Sequence, residues 1–269
     1  MESLELRNGE LFYEEKGVGL PVLFLHAGIA DSRMWQGQFD HFAEHFRAVR
    51  CDLRGYGRSP IPNGPFSHSE DVLALVEALG LGPAYLIGAS FGAKVAVDFY
   101  LTYPERVRGL VLVAPVVSGY EPSGAVAQFN KEEEALLDNG NLKDATELNL
   151  RMWVDGPYRT SGAVDPMLRK RVGEMQYQAF SQPVPENASS QELSPPAIDR
   201  LNEIQVPLLV ISGDLDVPSF VEFSDALAKQ VRGAKWVVIP GTAHMVNMEA
   251  PVVFNQVVLD FISSLERNG

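Results

Sequence analysis

The sequence predicts an α/β protein in which helices cover both faces of a mostly parallel sheet. Short apolar runs that end at glycine or proline alternate along the chain with segments whose apolar residues recur every three or four positions. The first pattern is typical of strands buried on both faces, and the second is typical of amphipathic helices. Such alternation favours parallel pairing, because each crossover helix returns the chain to the same edge of the sheet.

The elements follow in order along the chain. Residues 4–17, LELRNGELFYEEKG, predict a hairpin, because Asn-Gly is typical of a two-residue turn. Apolar residues at helical spacing predict a helix from about Val72 to Leu79, and a second helix over 91–103 stops before Pro104. The other apolar runs predict strands at 21–28, within 46–60, and at 84–90, 109–115, 207–213 and 234–241. A helix is predicted between the last two strands, and a final helix is predicted over 253–262.

Residues 117–203 interrupt this alternation. They contain no clear buried strand, but they hold charged helical stretches such as KEEEALLDNG and a Pro-rich segment, SQPVPENASSQELSPP. A structureless loop of that length is uncommon in a compact domain. We therefore expect 117–203 to be a helical cap inserted into a core formed by 1–116 and 204–269. The acidic run 132–134 is expected to lie on a solvated helix face.

Composition excludes several classes of protein. A net charge of −13 repels phosphate backbones, so nucleic acid is not an expected partner. Cys51 is the only cysteine, which excludes an internal disulfide and a Cys-based metal site. The stretch MESLELRNGE lacks the apolar region of a signal peptide, and no apolar run approaches the roughly 18 residues of a membrane span. A soluble cytoplasmic protein without a membrane partner is expected, and its oligomeric state is left open.

The segment AYLIGASFGAKVAVDFY (84–100) changes from strand to helix at Gly-Ala-Ser-Phe-Gly. Gly88 and Gly92 allow a tight turn where side chains would collide with the neighbouring strand and helix. The turn lifts Ser90 above the carboxyl edge of the sheet, and the helix behind it directs its N–H groups at the same point. Ser90 is therefore a candidate nucleophile, although serine is also a favoured N-cap residue.

A serine nucleophile needs a base and an acid. Of the five histidines, His244 lies in the loop between the last strand and the last helix, at the same sheet edge as Ser90. His26 ends a central strand and is expected to be structural. Asp214 and Asp216 follow the preceding strand at that edge, and either could be the acid. Serine, aspartate and histidine thus occur in the order that a nucleophile elbow of this kind requires.

An oxyanion hole needs two backbone donors. One is expected from the N–H of Phe91, directly after the nucleophile. The other is expected from the loop HAGIADSRMW, where the small Gly28 lets the backbone approach a ligand.

These motifs together resemble the α/β-hydrolase fold family, in its compact bacterial branch with a helical cap. FLHAG resembles the strand end that contributes to the family's oxyanion hole, and DLRGYGRS (52–59) resembles its glycine-rich turn. GASFG resembles the nucleophile elbow. SGDLDVP resembles the loop that carries the acid, and GTAHMVNMEAP resembles the loop that carries the histidine. The resemblance covers nearly the whole chain outside the cap and implies a mostly parallel sheet of eight strands. The family's acid usually stands three residues after the loop glycine, which from Gly213 favours Asp216. Ala27 replaces the family's usual glycine, which leaves Ile29 as the alternative second donor.

The resemblance also implies an activity. RMWVDGP (151–157), together with DSRMW, resembles esterases and enol-lactonases, and Trp153 could reach the substrate or pack within the cap. The expected reaction is hydrolysis of a small carboxylic ester or lactone through an acyl-enzyme, with no cofactor and no metal.

Two alternatives remain open from the sequence. The same triad could cleave a C–C bond in a ring-cleavage diketone or make a peracid. A receptor that binds a ligand without turnover could also retain this scaffold.

Overall fold

The computed structural model describes residues 2–122 and 124–267, and the other positions, including 123 in the expected cap, lie outside the described residues. The strands are β1 (Glu2–Leu6), β2 (Gly9–Lys16), β3 (Pro21–Leu25), β4 (Arg47–Cys51), β5 (Pro65–Phe66), β6 (Ala84–Ala89), β7 (Val107–Val113), β8 (Ser189–Ser190), β9 (Leu208–Gly213) and β10 (Lys235–Ile239). The helices are α1 (Gln36–Phe42), α2 (His68–Ala78), α3 (Phe91–Thr102), α4 (Ala125–Asp138), α5 (Leu142–Asn149), α6 (Pro166–Phe180), α7 (Pro218–Gln230), α8 (Val246–Glu249) and α9 (Pro251–Glu266). A π-helical turn spans Leu150–Asp155.

Eight strands form one sheet in the order β1-β2-β4-β3-β6-β7-β9-β10. β2 runs antiparallel to both of its neighbours, and all neighbouring pairs from β4 to β10 are parallel. The predicted sheet of eight mostly parallel strands is therefore confirmed. Because β3, β6, β9 and β10 point the same way, the loops that follow them all open at one edge of the sheet.

The sheet buries side chains on both faces, as its continuous apolar runs predict. In β3, Val22 and Phe24 join the hydrophobic cluster that includes α1 and α9, whereas Leu23 and Leu25 join the cluster that includes α2 and α3. All four side chains are fully buried. Each such burial contributes about 1.5–3 kcal/mol to folding, so the central strands are firmly placed beneath the loops at their ends.

The observed β7 begins and ends two residues earlier than the apolar run 109–115 predicts. Arg108 directly precedes the run, but it is exposed and pairs with Glu266 at 3.1 Å, so the strand accommodates it. Ala114 adopts a φ of 43°, which ends the extended conformation. The boundary thus depends on backbone geometry and a distant partner rather than on hydrophobicity.

Between β7 and β9 the chain forms α4, α5, the π-helical turn and α6, while the short β8 pairs with β5. Apolar side chains of this segment, such as Phe129 and Val172, belong to the same cluster as α1 and α9. The division into a core and a separate cap stays a prediction. None of the helices in the described part of the chain is long and apolar enough to cross a membrane.

Cys51 lies at the end of β4 and is fully buried. Burial raises the pKa of its thiol well above the ordinary value, and the nearby Asp52 adds to the rise. We expect Cys51 to react with Ellman's reagent at about pH 8 at least a hundredfold more slowly in the folded protein than after denaturation in guanidinium chloride. Rapid titration of one thiol in the native protein would contradict this placement.

Candidate active site

Ser90 stands at the junction of β6 and α3 in a conformation that is rare for a residue with a side chain, with a φ of 49° and a ψ of −110°. The turn is crowded: a Cβ on Gly88 would lie 2.3 Å from the Gly92 oxygen, and one on Gly92 would lie 2.2 Å from the Leu25 oxygen. Only glycine fits at either position. The Ser90 N–H donates to the oxygen of Val113 at 2.8 Å, which holds the strained residue in place.

Ser90 could alternatively serve to cap the N-terminus of α3. Ser90 occupies the N-cap position of α3, but its hydroxyl makes no capping hydrogen bond to the helix. The side chain lines a cavity of about 420 Å³ at the sheet edge. The hydroxyl is thus available for another role.

Asp216 and His244 form a buried pair. Asp216 Oδ2 accepts a hydrogen bond from His244 Nδ1 at 2.8 Å, and the two residues are 1% and 4% exposed. The N–H of Val217 donates to Asp216 Oδ1 at 2.7 Å, so both carboxylate oxygens are engaged. A carboxylate can only accept, so the pair assigns a proton to Nδ1 and leaves Nε2 as the nitrogen able to take another proton.

Asp214, the other candidate acid, has a different partner. Its Oδ1 accepts from the N–H of Gly241 at 2.6 Å, where it ties the turn after β10 to the turn after β9. Asp214 therefore braces the loops, whereas Asp216 faces the imidazole.

Aromatic rings enclose the imidazole of His244. The ring of Trp153 lies 4.7 Å from it between centroids, and the ring of Phe220 lies 5.0 Å away edge-on. Trp153 also contacts Phe129 at 5.3 Å, so it packs within its own segment as well as against the site. The π-helical turn that carries Trp153 ends at Gly156, with a φ of 72°, where a Cβ would lie 2.6 Å from the Leu215 oxygen.

Six residues were the preferred candidates for the triad, the oxyanion hole and a substrate contact, and the same cavity brings together five of them. Its lining includes Gly28, Ser90, Phe91, Trp153 and His244, with Asp216 behind the histidine. No hydrogen bond joins Ser90 and His244 within residues 2–122 and 124–267. Contacts of this kind often tighten only when substrate is bound.

The backbone donors expected of an oxyanion hole border this cavity. Phe91 is the first residue of α3, so its N–H has no carbonyl one turn earlier to bond. In the loop after β3, the N–H of Ala27 contacts Met34 Sδ at 3.2 Å and that of Ala30 donates to the Ala27 oxygen at 3.0 Å. The N–H groups of Gly28 and Ile29 have no acceptor in the described part of the chain, so both remain candidates.

His26 is buried beneath this loop. Its Nε2 accepts from the N–H of Leu53 at 2.9 Å, and its Nδ1 lies 2.9 Å from the Ala27 oxygen. Burial lowers the pKa of His26, which keeps the ring neutral and able to bridge these two backbone groups. The ring therefore joins the loop after β3 to the turn after β4, in agreement with a structural role.

An ion pair that the sequence did not single out holds the histidine loop. Glu249 accepts from the N–H of Ala243 at 2.8 Å and pairs with Arg159 at 2.5 Å. Arg159 also donates to the oxygens of Val154 and Asp155, next to Trp153. One guanidinium thus links the loop that carries His244 to the segment that carries Trp153.

The expectation that 132–134 lies on a solvated helix face is wrong for Glu133. Glu132 and Glu134 are exposed, but Glu133 lines the cavity and accepts from Asn149 Nδ2 at 2.5 Å. A run of three acidic residues does not indicate which one faces the interior of the protein. Helical spacing from the buried Phe129, four residues earlier, is the signal that could have identified it.

Other polar groups in the lining were also missed. Tyr56, His68, Asn149 and Gln176 all border the cavity. His68 is the first residue of α2, which Ser67 caps. Nothing in the local sequence shows that its ring turns toward the site rather than toward solvent.

Comparison with known proteins identifies the family of this chain. Residues 21–251 match the alpha/beta hydrolase fold family, and the chain belongs to that family. A 2-hydroxy-6-oxononadienedioate/2-hydroxy-6-oxononatrienedioate hydrolase of Paraburkholderia phymatum is 29% identical over 93% of this chain and 90% of its own length.

Solved structures show the same fold. Est816, described as an N-acyl homoserine lactone degrading enzyme, has a TM-score of 0.76 and 26% identity over 97% of this chain and 100% of its own. The enol-lactonase of Burkholderia xenovorans LB400 has a TM-score of 0.79 over 97% and 100%, and at 23% identity it supports the fold alone. This protein is therefore an α/β hydrolase with hydrolases among its relatives.

We expect Arg159→Met to lower the free energy of unfolding by about 2–4 kcal/mol, because it leaves the mostly buried Glu249 without its partner. Amide exchange at Ala243 should accelerate as well. Urea denaturation and hydrogen exchange measure these effects. The control is Arg151→Met, which removes an exposed guanidinium whose only partner among the described residues is Glu147; equal losses in both variants would contradict the linking role.

The imidazole of His68 should make the stability of the protein depend on pH. Burial, reinforced by the positive charges of Lys94 and Arg54, lowers its pKa to about 3. The unfolded chain takes up a proton on this ring near pH 6.5 but the folded chain does not, so stability falls as pH drops from about 7 to 5. Part of the ring faces the cavity, so we expect His68→Gln to remove about 1–2 kcal/mol of this loss in urea denaturation.

The matched control for that measurement is His45→Gln, which removes an exposed imidazole. A pH dependence of unfolding that is the same in wild type and in His68→Gln would argue against the neutral, buried state of His68.

Proposed function

We propose that this protein is a serine hydrolase that cleaves small carboxylic esters or lactones through an acyl-enzyme. The observation that carries the proposal is the buried Asp216–His244 pair at 2.8 Å, which borders the same cavity as the strained Ser90. A strained serine, an oriented imidazole and a paired carboxylate are the parts from which nucleophilic acyl transfer is built.

In the first half of the proposed reaction, His244 Nε2 takes the proton of Ser90 Oγ as that oxygen attacks the carbonyl carbon. Asp216 holds the ring and stabilises the positive charge that forms on it. The carbonyl oxygen becomes an oxyanion, which the N–H groups of Phe91 and Gly28 stabilise together with the N-terminal end of α3. Ile29 is the alternative second donor.

The tetrahedral intermediate then collapses. The bond to the alcohol oxygen breaks, and His244 Nε2 returns its proton to that oxygen, which leaves an ester on Ser90. In the second half, His244 Nε2 takes a proton from water as the water oxygen attacks the same carbon. The bond from that carbon to Ser90 Oγ then breaks, and Nε2 returns the proton to Oγ, which releases the acid and free Ser90. In a lactone, the released alcohol and acid are two ends of one molecule.

The dimensions and surroundings of the site support a small substrate. A cavity of about 420 Å³ lies in the range of small-molecule sites. Trp153 and Phe220 shield the imidazole from bulk water, which strengthens its interaction with Asp216. The similarity to Est816, an N-acyl homoserine lactone degrading enzyme, favours a lactone or ester over other acyl compounds.

A second candidate function is hydrolysis of a C–C bond in a ring-cleavage diketone. The Paraburkholderia phymatum relative, named as a hydrolase of 2-hydroxy-6-oxo dioates, favours it. The same side chains would serve, so a substrate panel is the test. We expect esters and lactones to be cleaved at least about tenfold faster in kcat/KM than a 2-hydroxy-6-oxo dienoate, and the opposite ranking would favour C–C hydrolysis.

Ser90→Ala should lower kcat/KM for p-nitrophenyl acetate by at least about a thousandfold, because nucleophile and base act as a unit. A fluorophosphonate probe should label the wild-type protein at Ser90 and leave the variant unlabelled. The matched control is Ser181→Ala, which removes an exposed serine from the end of α6. Equal rates for Ser90→Ala and wild type would refute the assignment of the nucleophile.

A further inference from the structure

The cavity that holds Ser90 and His244 also holds polar groups for which the proposed reaction has no use. Glu133, Asn149 and Gln176 reach it from α4, α5 and α6, and His68 reaches it from α2. Buried polar groups that lack partners reduce stability. Such groups around a binding cavity therefore indicate what a ligand has to provide.

Glu133 is the first of these groups. Its Oε1 accepts a hydrogen bond from Asn149 Nδ2 at 2.5 Å, and Asn149 is itself 1% exposed. Within the described residues Glu133 forms no ion pair, and its Oε2 has no hydrogen-bond donor. The carboxyl group thus lines the cavity with one oxygen committed and the other available.

Burial raises the pKa of Glu133, while the bond from Asn149 opposes the rise. The carboxylate in turn adds to the rise in the pKa of the nearby Tyr56, to about 12, although burial is the larger cause. Tyr56 packs against Phe91, next to the candidate nucleophile. Glu133 and Tyr56 thus line the same cavity as the candidate nucleophile.

Gln176 and His68 present further atoms without partners. Gln176 is 3% exposed, and its Oε1 is buried without a hydrogen bond in the described part of the chain. The same is true of His68 Nδ1. The amide oxygen accepts, and in the neutral ring one nitrogen accepts while the other donates. Together with Glu133 Oε2, the Gln176 oxygen offers acceptors that an N–H or O–H group of a ligand could satisfy.

Positive charge that could hold an anionic substrate is committed elsewhere. Among the described residues that line the cavity, Arg54 is the only arginine or lysine. Its Nε and Nη2 bond Asp71 at 2.6 and 3.0 Å, and its Nη1 bonds the oxygen of Asn8 at 3.1 Å. The guanidinium is buried in this network, so it does not offset a carboxylate placed near Glu133.

From these contacts we propose that the cavity selects uncharged esters or lactones carrying an N–H or O–H donor, such as a carboxamide or hydroxyl group. A carboxylate at that position of the substrate is disfavoured, because it brings no donor and faces the carboxyl group of Glu133. The inference rests on the proposed function, since it concerns the substrate of the same site. It narrows the substrate class to neutral molecules with a polar end.

Three esters of equal chain length test this selectivity. p-Nitrophenyl adipamate ends in a carboxamide, p-nitrophenyl hydrogen adipate ends in a carboxylate of nearly the same shape, and p-nitrophenyl hexanoate ends in a methyl group. At about pH 7.5 the wild-type protein should hydrolyse the adipamate with a kcat/KM at least about tenfold above that of the hydrogen adipate. The hexanoate should fall between them.

Two variants connect the selectivity to Glu133. Glu133→Gln removes the charge and retains a polar group, so the ratio of adipamate to hydrogen adipate should fall at least about threefold, mainly because the carboxylate ester gains. Glu134→Gln is the matched control: it removes an adjacent, exposed carboxylate of the same helix and should leave the ratio unchanged. Circular dichroism and thermal melting establish that both variants are folded.

The outcomes distinguish failure of the selectivity inference from failure of the proposed function. Ester hydrolysis with equal or reversed kcat/KM for the adipamate and the hydrogen adipate in the wild-type protein overturns the inference and leaves the proposed function standing. A ratio that Glu133→Gln does not alter also overturns it. If Glu133→Gln fails to fold, the wild-type ratio decides. If no ester is hydrolysed faster by wild type than by Ser90→Ala, the proposed function fails and the inference fails with it.

Discussion

At the junction of β6 and α3, two backbones approach each other so closely that no Cβ fits between them. Gly88 and Gly92 permit this approach, and Ser90 is left in a strained conformation with its hydroxyl clear of the helix. The strain is tolerable because β6 lies at the centre of a parallel sheet and the Ser90 N–H is bonded to the neighbouring β7. The other parts of the site are arranged around this fixed point.

The loops that face Ser90 are held by charge and hydrogen bonds rather than by apolar packing alone. Asp216 orients His244 directly, Asp214 joins the turns after β9 and β10, and Glu249 with Arg159 connects the histidine loop to the segment that carries Trp153. Asp216 is buried, Glu249 is partly buried and Asp214 is exposed, and each of the three accepts a hydrogen bond. The arrangement suits a site in which a small displacement of the imidazole would separate it from its partners.

Much of this could be predicted from the sequence, because the relevant constraints are local. A strand followed by Gly-x-Ser-x-Gly and a helix specifies its own turn, and parallel strands place Asp216 and His244 at the edge where Ser90 lies. The polar cavity lining could not be predicted in this way. Whether Glu133, His68 or Gln176 faces the site depends on how α4, α2 and α6 are rotated against elements far away in the sequence, and a charged run such as 132–134 is equally compatible with solvent.

The segment between β7 and β9 shares its apolar cluster with α1 and α9 instead of enclosing a hydrophobic centre of its own. A swing of the whole segment away from the sheet would expose that shared surface to water, which is costly in proportion to its area. Movement of the whole segment is therefore a costly way to admit a molecule to the cavity. For the same reason, grafting this segment onto a related enzyme would transfer the wall of the binding site only if its packing partners in the core, such as Phe220 of α7 beneath Trp153, were transferred with it.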